Sequence, residues 1–529
     1  MESISSTYPY ANWVLVGLGI YMAAMLGIGW YSSRLIKTSS DFLVAGRRLG
    51  IPLATGTLFA TWFGSGTAMG GAGNAYLYGN QGVIFDPWGA ALCLILVGFF
   101  FARWLRRGRY LTLVDLFESR YSRTMGVCCL LTTAAMQCSW LGAQLVGFGA
   151  IIHFFGGVSL AWGIAISTVL IVTYTFLGGM WSVTLTDAAQ LLILTAGMVV
   201  LLLAGVEAVG GWENIFPAGD AERPLNKNGL EPWAFFPTSE DSSYPAGFLA
   251  YTGYMGWFYW LAAWFSVGLG GIAGQDLMQR VFSARDGRTA TVSCVLGGTL
   301  YLTVGMIPVL LGMIYFQLKP ELADGDAMNK LLLFMAVDHL PPWLTVIFVS
   351  ALVAALMSSA DSAMLAASSV LGHNAYRMLR PSASGRETLL VTRIAVPIVA
   401  GAALLLALVF EAIYNLMVLS VVLTLVALLA PLAAAYWWKK ANNAGAVSSY
   451  VGGFATWAAM YFVHRPYTIA VNTAPDGAVN MDAAMWDSLY ISSVWGLIAS
   501  VVLLVAVSLL TQRLCPPKPL RDVEGKEFL

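Results

Sequence analysis

Charge is what this sequence has little of. Only 11% of its 529 residues are Asp, Glu, Lys or Arg, against roughly 25% in an average soluble domain. The 28 basic and 28 acidic residues cancel, and the basic ones sit in short clusters. No basic face is long enough to track a phosphate backbone, so nucleic acid is not an expected partner. Histidine is scarce too: His153, His339, His373 and His464 are the four present, at no spacing that suits a metal. Cys93, Cys128, Cys129, Cys138 and Cys294 fall inside apolar runs and Cys515 in the tail. With none in an expected outside loop, a disulfide framework is not expected. Met1–Asn12 contains Glu2 but no Lys or Arg. It lacks the positive start of a secretory signal, so the first apolar run should stay in the mature chain. A membrane-embedded enzyme would need a nucleophile–base pair or a metal cluster, and neither is visible.

What the sequence has in abundance is apolar length. Runs of about 20 residues recur from end to end with short polar breaks, the mark of an all-α integral membrane protein. Thirteen spans are expected, at roughly 13–33, 51–79, 82–102, 124–152, 157–177, 185–209, 246–273, 289–317, 341–372, 391–410, 412–438, 443–463 and 488–511. Basic residues collect in cytoplasmic loops. With the N-terminus outside and the C-terminus cytoplasmic, 23 of the 28 basic residues fall inside, and Arg223, Lys227, Lys319, Lys330 and Arg465 fall outside. One missed or invented span would scramble this alternation. The outside loops near 210–245 and 465–487 are polar, as connectors or as shields of an entrance. Residues 328–339, before Pro341-Pro342, suit a short amphipathic helix at the outer interface.

Two spans carry unusual residues. The second reads Thr61-Trp62-Phe63-Gly64-Ser65-Gly66-Thr67-Ala68-Met69-Gly70-Gly71-Ala72-Gly73, with five glycines in the ten residues from 64 to 73. Glycine weakens a helix, and irregular backbone at membrane depth survives only against protein or a wet cavity. Close helix packing would account for the glycines but not for Thr61, Ser65 and Thr67 beside Trp62. The seventh span, five later, opens Gly253-Tyr254-Met255-Gly256-Trp257-Phe258-Tyr259-Trp260. Discontinuous helices in equivalent places point to a single transporter domain, 1–529, with a five-plus-five inverted-repeat core. The repeats would be about 51–209 and 246–438, with extra helices 13–33, 443–463 and 488–511 and a cytoplasmic tail 512–529.

The ninth span holds Ala355, Ser358, Ser359 and Ser362 at i, i+3, i+4, i+7, on one helix face. Hydroxyls and a freed carbonyl are hard oxygen ligands for a small cation. Serines that bond back to the preceding turn are the plainer alternative. Asp361 in the same span shifts the weight, because an intramembrane carboxylate is costly and marks an ion path. Asp187, near the expected start of span 6, is a second candidate, with an N-cap as its alternative. Asp86, before Pro87, is expected near the outer surface in a structural role.

At these residues the chain resembles the sodium/solute symporter family. The resemblance rests on the Gly-rich second span, on Gly-Gly-Met-Trp-Ser-Val-Thr-Leu-Thr-Asp at 178–187 and on Leu-Met-Ser-Ser-Ala-Asp-Ser at 356–362. Gln279-Arg280-Val281-Phe282-Ser283-Ala284-Arg285, in the expected loop after span 7, adds to it. It implies symport by alternating access with Na+ as the coupling ion. The sodium ligands would be carbonyls of Ala60, Phe63 and Ala355 and hydroxyls of Ser358 and Ser359. A second cation site of some members would fall at Asp187, Asp361 and Ser362, although Asp361 stands where those members have a hydroxyl. The Thr-Trp-Phe-Gly-Ser-Gly stretch looks most like the choline-transporter branch. Trp62 and Trp140 would form part of an aromatic cage, worth roughly 2 kcal/mol or more to a desolvated cation. Gly274 stands where that branch has another cage tryptophan. Thr67, Gln144, Trp257 and Tyr259 complete the expected solute site.

The expected substrate is a small neutral, zwitterionic or cationic organic solute, since spans 2, 4, 7 and 9 offer no Lys or Arg to a multiply charged acid. A proton-coupled carrier and a transporter-like membrane sensor are the rival readings.

Overall fold

In a computed structural model of the chain, the described residues are 8–34, 38–216, 229, 231–238, 247–322 and 325–528. All regular structure among them is helical, apart from isolated bridges such as Thr238 with Gly247. Leaving aside shorter turns, the order begins α1 (Ala11–Ser33), α2 (Ile51–Trp62), α3 (Gly71–Tyr78), α4 (Ala90–Leu96), α5 (Leu113–Arg120), α6 (Arg123–Gly156) and α7 (Leu160–Ala208). It continues with α8 (Gly253–Gly270), α9 (Gln275–Ser283), α10 (Gly287–Leu318), α11 (Leu331–His339), α12 (Pro342–Ser369) and α13 (Gly385–Val409). The chain ends in α14 (Ile413–Ala427), α15 (Leu429–Trp437), α16 (Asn443–Val471) and α17 (Met481–Leu510). Among the described residues, eight helices are long and apolar enough to cross a membrane, or nine if α14 and α15, bent by 49°, form one span. That is fewer than the thirteen expected, because several of the expected ranges are interrupted or shared.

The interruptions follow from local chemistry. The second span breaks between Trp62 and Ser65 and resumes through a wide π-helical turn, Gly66–Gly70, into α3. The expected ranges 157–177 and 185–209 lie on α7, whose 49 residues are broken at Gly179 (φ 54, ψ −166). At 1.5 Å per residue a straight helix of that length would reach about 74 Å, over twice the roughly 30 Å hydrocarbon core. A fold at Gly179 is therefore required, and a Cβ there would lie 2.5 Å from the Phe42 ring.

The expected break at the start of the seventh span is absent: α8 runs unbroken from Gly253 to Gly270. Its glycine at 256 serves close approach instead, since a Cβ there would lie 2.2 Å from the Tyr251 carbonyl oxygen. The discontinuity comes at the other end, where Gly274 (ψ 125) separates α8 from α9.

The segment after that break, expected as a loop, is helix α9, and all nine of its residues are buried. The expected short helix near 328–339 is α11, with its apolar residues packed against the protein. Leu331, Leu332, Leu333, Met335 and Ala336 are buried, and Phe334 meets Phe154 edge-on at 5.2 Å. In the loop before α8, Pro232 O accepts from the Asn80 N–H (2.7 Å), and Phe235 packs on Trp88 and Trp264. Of the other prolines in that loop, Pro237 is described, and Pro217 and Pro224 lie outside the described residues. At the opposite end of the chain the tail folds back on α5 and the residues before it. Val523 N–H donates to Gly108 O (3.3 Å), Tyr110 donates to Arg521 O, and Leu520 and Phe528 are buried.

Candidate ion and solute site

The break in the second span leaves its backbone without helical partners, and α12 supplies the groups that face it. Ser358 Oγ lies 3.1 Å from Ala60 O, and Ser359 Oγ lies 3.3 Å from the same carbonyl. Ser358 Oγ also meets Asp187 Oδ1, while Thr57 donates to Asp187 Oδ2. The approach is close enough that a Cβ on Gly64 would lie 2.5 Å from Ser359 Oγ. Phe63, with ψ 83, is already out of the helix, and Ala355 lies one turn before Ser359 on α12.

Oxygen acceptors outnumber hydrogens here. A single Ser358 hydrogen faces both Ala60 O and a carboxylate, and a serine has only one to give. All of Thr57, Thr61, Asp187, Ser358, Ser359 and Ser362 are buried. A dry, acceptor-rich cluster of hard oxygens is the donor set that a small cation such as sodium satisfies.

Asp187 is thus no N-cap. It stands within the second half of α7 and joins α2 to α12. Asp361 points elsewhere: it accepts from Thr175 on the first half of α7, and its Oδ2 has no partner. Ser362 receives the guanidinium of Arg280, which is fully buried and also donates to Asp276 O (3.2 Å). Arg280 faces the charges of Asp187, Asp276 and Asp361. Asp187, Asp361 and Ser362 are therefore neighbours of one buried arginine. The expectation of no cationic group near the site is corrected: Arg280 enters from α9, which was read as loop.

Of the expected solute residues, three meet around the break. The Trp62 and Trp140 rings lie 6.0 Å apart at 45°, and Gln144 Oε1 accepts from Ser65 N–H (2.8 Å). Thr67 is adjacent but engaged: its hydroxyl donates to Asp86 Oδ2 (2.6 Å) and touches Tyr301. Asp86, expected near the surface, is only 1% exposed. Two of the expected residues do not join them. Trp257 is 50% exposed and meets Trp260 edge-on, so it faces away from the bundle. Tyr259 is buried, but its hydroxyl donates to Asp487 Oδ1 (2.7 Å), in a cluster with Tyr251 and Asn472. Aromatic richness in the seventh span did not distinguish a cage from packing.

The residues missed are Asp276 and Gln137. Asp276 Oδ2 accepts from the Trp62 indole N–H and Oδ1 from Gln137 Nε2, both at 2.8 Å. Gln137 precedes Trp140 by three residues on α6, a spacing that was available to find it.

Comparison with known proteins places this arrangement. The profile of the sodium:solute symporter family matches residues 42–453. The high-affinity choline transporter 1 of Torpedo marmorata is 30% identical, over 83% of this chain and 75% of that one. Its Homo sapiens counterpart is 28% identical over the same shares. The sodium/pantothenate symporter of Escherichia coli is 27% identical over 86% of this chain and 92% of its own. Among solved structures, a sodium-coupled sialic acid symporter in a substrate-bound outward-open state covers 94% of this chain and 98% of its own, with a TM-score of 0.72 at 21% identity. A nucleobase-cation-symport-1 family transporter shares the fold at a TM-score of 0.55 and 14% identity. The chain belongs to the sodium:solute symporter family: it is a multi-pass membrane transporter, not an enzyme, which couples movement of a small solute to sodium by alternating access.

Proposed function

We propose that this protein imports a small organic solute across the plasma or inner membrane, with sodium held at Ala60, Phe63, Ala355, Ser358 and Ser359. The observation that carries this reading is Ser358, which bridges the Ala60 carbonyl at the broken second span and the Asp187 carboxylate on α7. An ion placed there ties α2 to α12 and sets the shape of the segment that carries Trp62. Sodium then raises solute affinity, and the solute raises sodium affinity by the same factor. The second cation site is filled from within, by Arg280 against Ser362, so one sodium per cycle is the expected stoichiometry.

Thirteen spans, with repeats at about 51–209 and 246–438, remain the proposed organisation of one domain. The N-terminus is placed outside and the C-terminus in the cytoplasm on the 23-to-5 division of basic residues. For the solute, choline-like cations are the first to try, on the strength of the Trp62–Trp140 pair and the choline transporters among the relatives.

The test is solute-stimulated uptake of radioactive sodium into proteoliposomes, with wild type beside Ser358→Ala. The expected result is stimulation by one solute class and its loss, by about tenfold or more, in the variant. Transport without sodium dependence, with the variant like wild type, sinks the reading and leaves proton coupling in its place.

A further inference from the structure

Asp276 is a carboxylate in the first turn of α9 that makes no bond to its own helix. Both its oxygens turn to the solute region, Oδ2 to the Trp62 indole and Oδ1 to the Gln137 amide. It is 1% exposed. Two further polar atoms at this place lack partners. Trp140 Nε1 is a buried donor and Gln137 Oε1 a buried acceptor, and neither makes a hydrogen bond. Gln137 and Trp140 share one face of α6 at i, i+3. The set therefore offers one negative charge, two indole faces, one free donor and one free acceptor.

A buried acceptor and a buried donor left unpaired are costly, and their natural complement is a group that both gives and takes a hydrogen. A hydroxyl does so, accepting from Trp140 and donating to Gln137. The carboxylate calls for positive charge close to it, and the two indoles supply π faces for that charge.

We propose that Asp276, with Gln137, is the charge-selecting element of the solute site, and that the solute class it fits is a hydroxylated organic cation. This rests on the symport reading above for where the solute binds, but not on sodium being the coupling ion. Uncharged solutes of the same shape leave Asp276 with only Arg280, already shared with Asp187 and Asp361, as its counter-charge. Zwitterions bring a second carboxylate against it. Both are selected against, whereas Trp62 and Trp140 alone would reject neither strongly.

The experiment measures uptake and competition in proteoliposomes with four probes, each with and without sodium. They are choline, ethanolamine, glycine betaine and the uncharged carbon analogue of choline with a tert-butyl group in place of trimethylammonium. Wild type should favour choline and ethanolamine over the uncharged analogue by about tenfold or more. Asp276→Asn should bring that ratio near one, and Asp276→Glu should restore most of it. Sodium-dependent quenching of tryptophan fluorescence reports that each variant is folded. Should Asp276→Asn fail to fold, Gln137→Leu serves in its place, and it should remove the preference for choline over a cation of the same size without the hydroxyl. A wild type that takes the uncharged analogue as well as choline overturns the proposal, as does one that binds none of the four. So does an Asp276→Asn variant that keeps full charge selectivity. Cation-selective transport indifferent to sodium defeats the symport reading and leaves the role of Asp276 standing. Sodium-driven transport of neutral solutes does the reverse.

Discussion

A guanidinium buried among carboxylates has to be matched, because an unpaired charge taken out of water costs several kcal/mol. Arg280 is matched by Ser362, by the Asp276 carbonyl and by the fields of Asp187, Asp276 and Asp361. Arg280→Gln should therefore destabilise the protein by about 3–5 kcal/mol, read as a lowered thermal midpoint in detergent. Adding Asp361→Asn should recover part of the loss, since it removes one of the carboxylates left exposed to its neighbours. Recovery of nothing would mean that the two groups do not compensate each other. Hydroxyl spacing in one span, a carboxylate in it, and the resemblance of three motifs named Ser358, Ser359, Asp187 and Asp361, and the structure gathers the first three around Ala60 while Asp361 turns to Thr175. The solute side was legible only in part. Trp62, Trp140 and Gln144 converge, while Trp257 and Tyr259 do not, because an aromatic residue in a span serves lipid, packing or ligand with the same side chain.

At the scale of single elements, periodicity reports apolar faces and misses helices held inside by polar side chains. Helix α9 carries Gln275, Asp276, Gln279, Arg280 and Ser283, a composition that reads as loop, yet every one of these is buried with a partner on another element or within the helix. The break in the second span was readable because glycine density announces it. The one at Gly274 lay beyond the stretch in which it was sought.

Gly179 marks the sharpest fold of α7, with positive φ and the Phe42 ring where a side chain would begin. Gly179→Ala should cost about 1–3 kcal/mol or more, seen as a lower melting temperature and reduced yield of folded protein. A neutral result would show that the fold there can relax.

Helix α5 gives a prediction in pH. Burial alone raises the Asp115 carboxyl, but His373, Asn374 and the Thr112 N–H reverse this and hold it below its ordinary range. A carboxyl depressed by folding contributes stability above its unfolded value, near 3.9, and loses it as pH falls through the folded value. Asp115→Asn should therefore melt below wild type at pH 7, with the gap closing as pH falls below about 4. A gap constant across that range would show that the carboxylate's charge is not what matters.

Across the whole molecule, contacts far apart in sequence decide the arrangement. Helices α16 and α17, the proposed addition to the core, are tied to it at one side by Asp487, which accepts from Tyr251, Tyr259 and Asn472. At the other side the tail reaches back to residues 108–121. There Arg109 pairs with Glu524, Arg120 donates to Lys518 O, and Phe528 packs under Gly108 and Arg107. Nothing in composition foretold this, since a short segment rich in proline and charge reads as loose. Burying a phenylalanine is worth roughly 1.5–3 kcal/mol. Phe528→Ala should thus release the tail, and limited trypsin digestion should cut after Arg521 several-fold faster than in wild type. Equal rates would mean that the tail is not held. The same strap also offers a place for an optical label. Cys515 lies at its root, half-buried, with its carbonyl held by Asn442, while the other five thiols belong to the helical bundle. A dye attached there would sit beside the docked tail, and its emission would report whether the tail is held, in wild type and in Phe528→Ala alike.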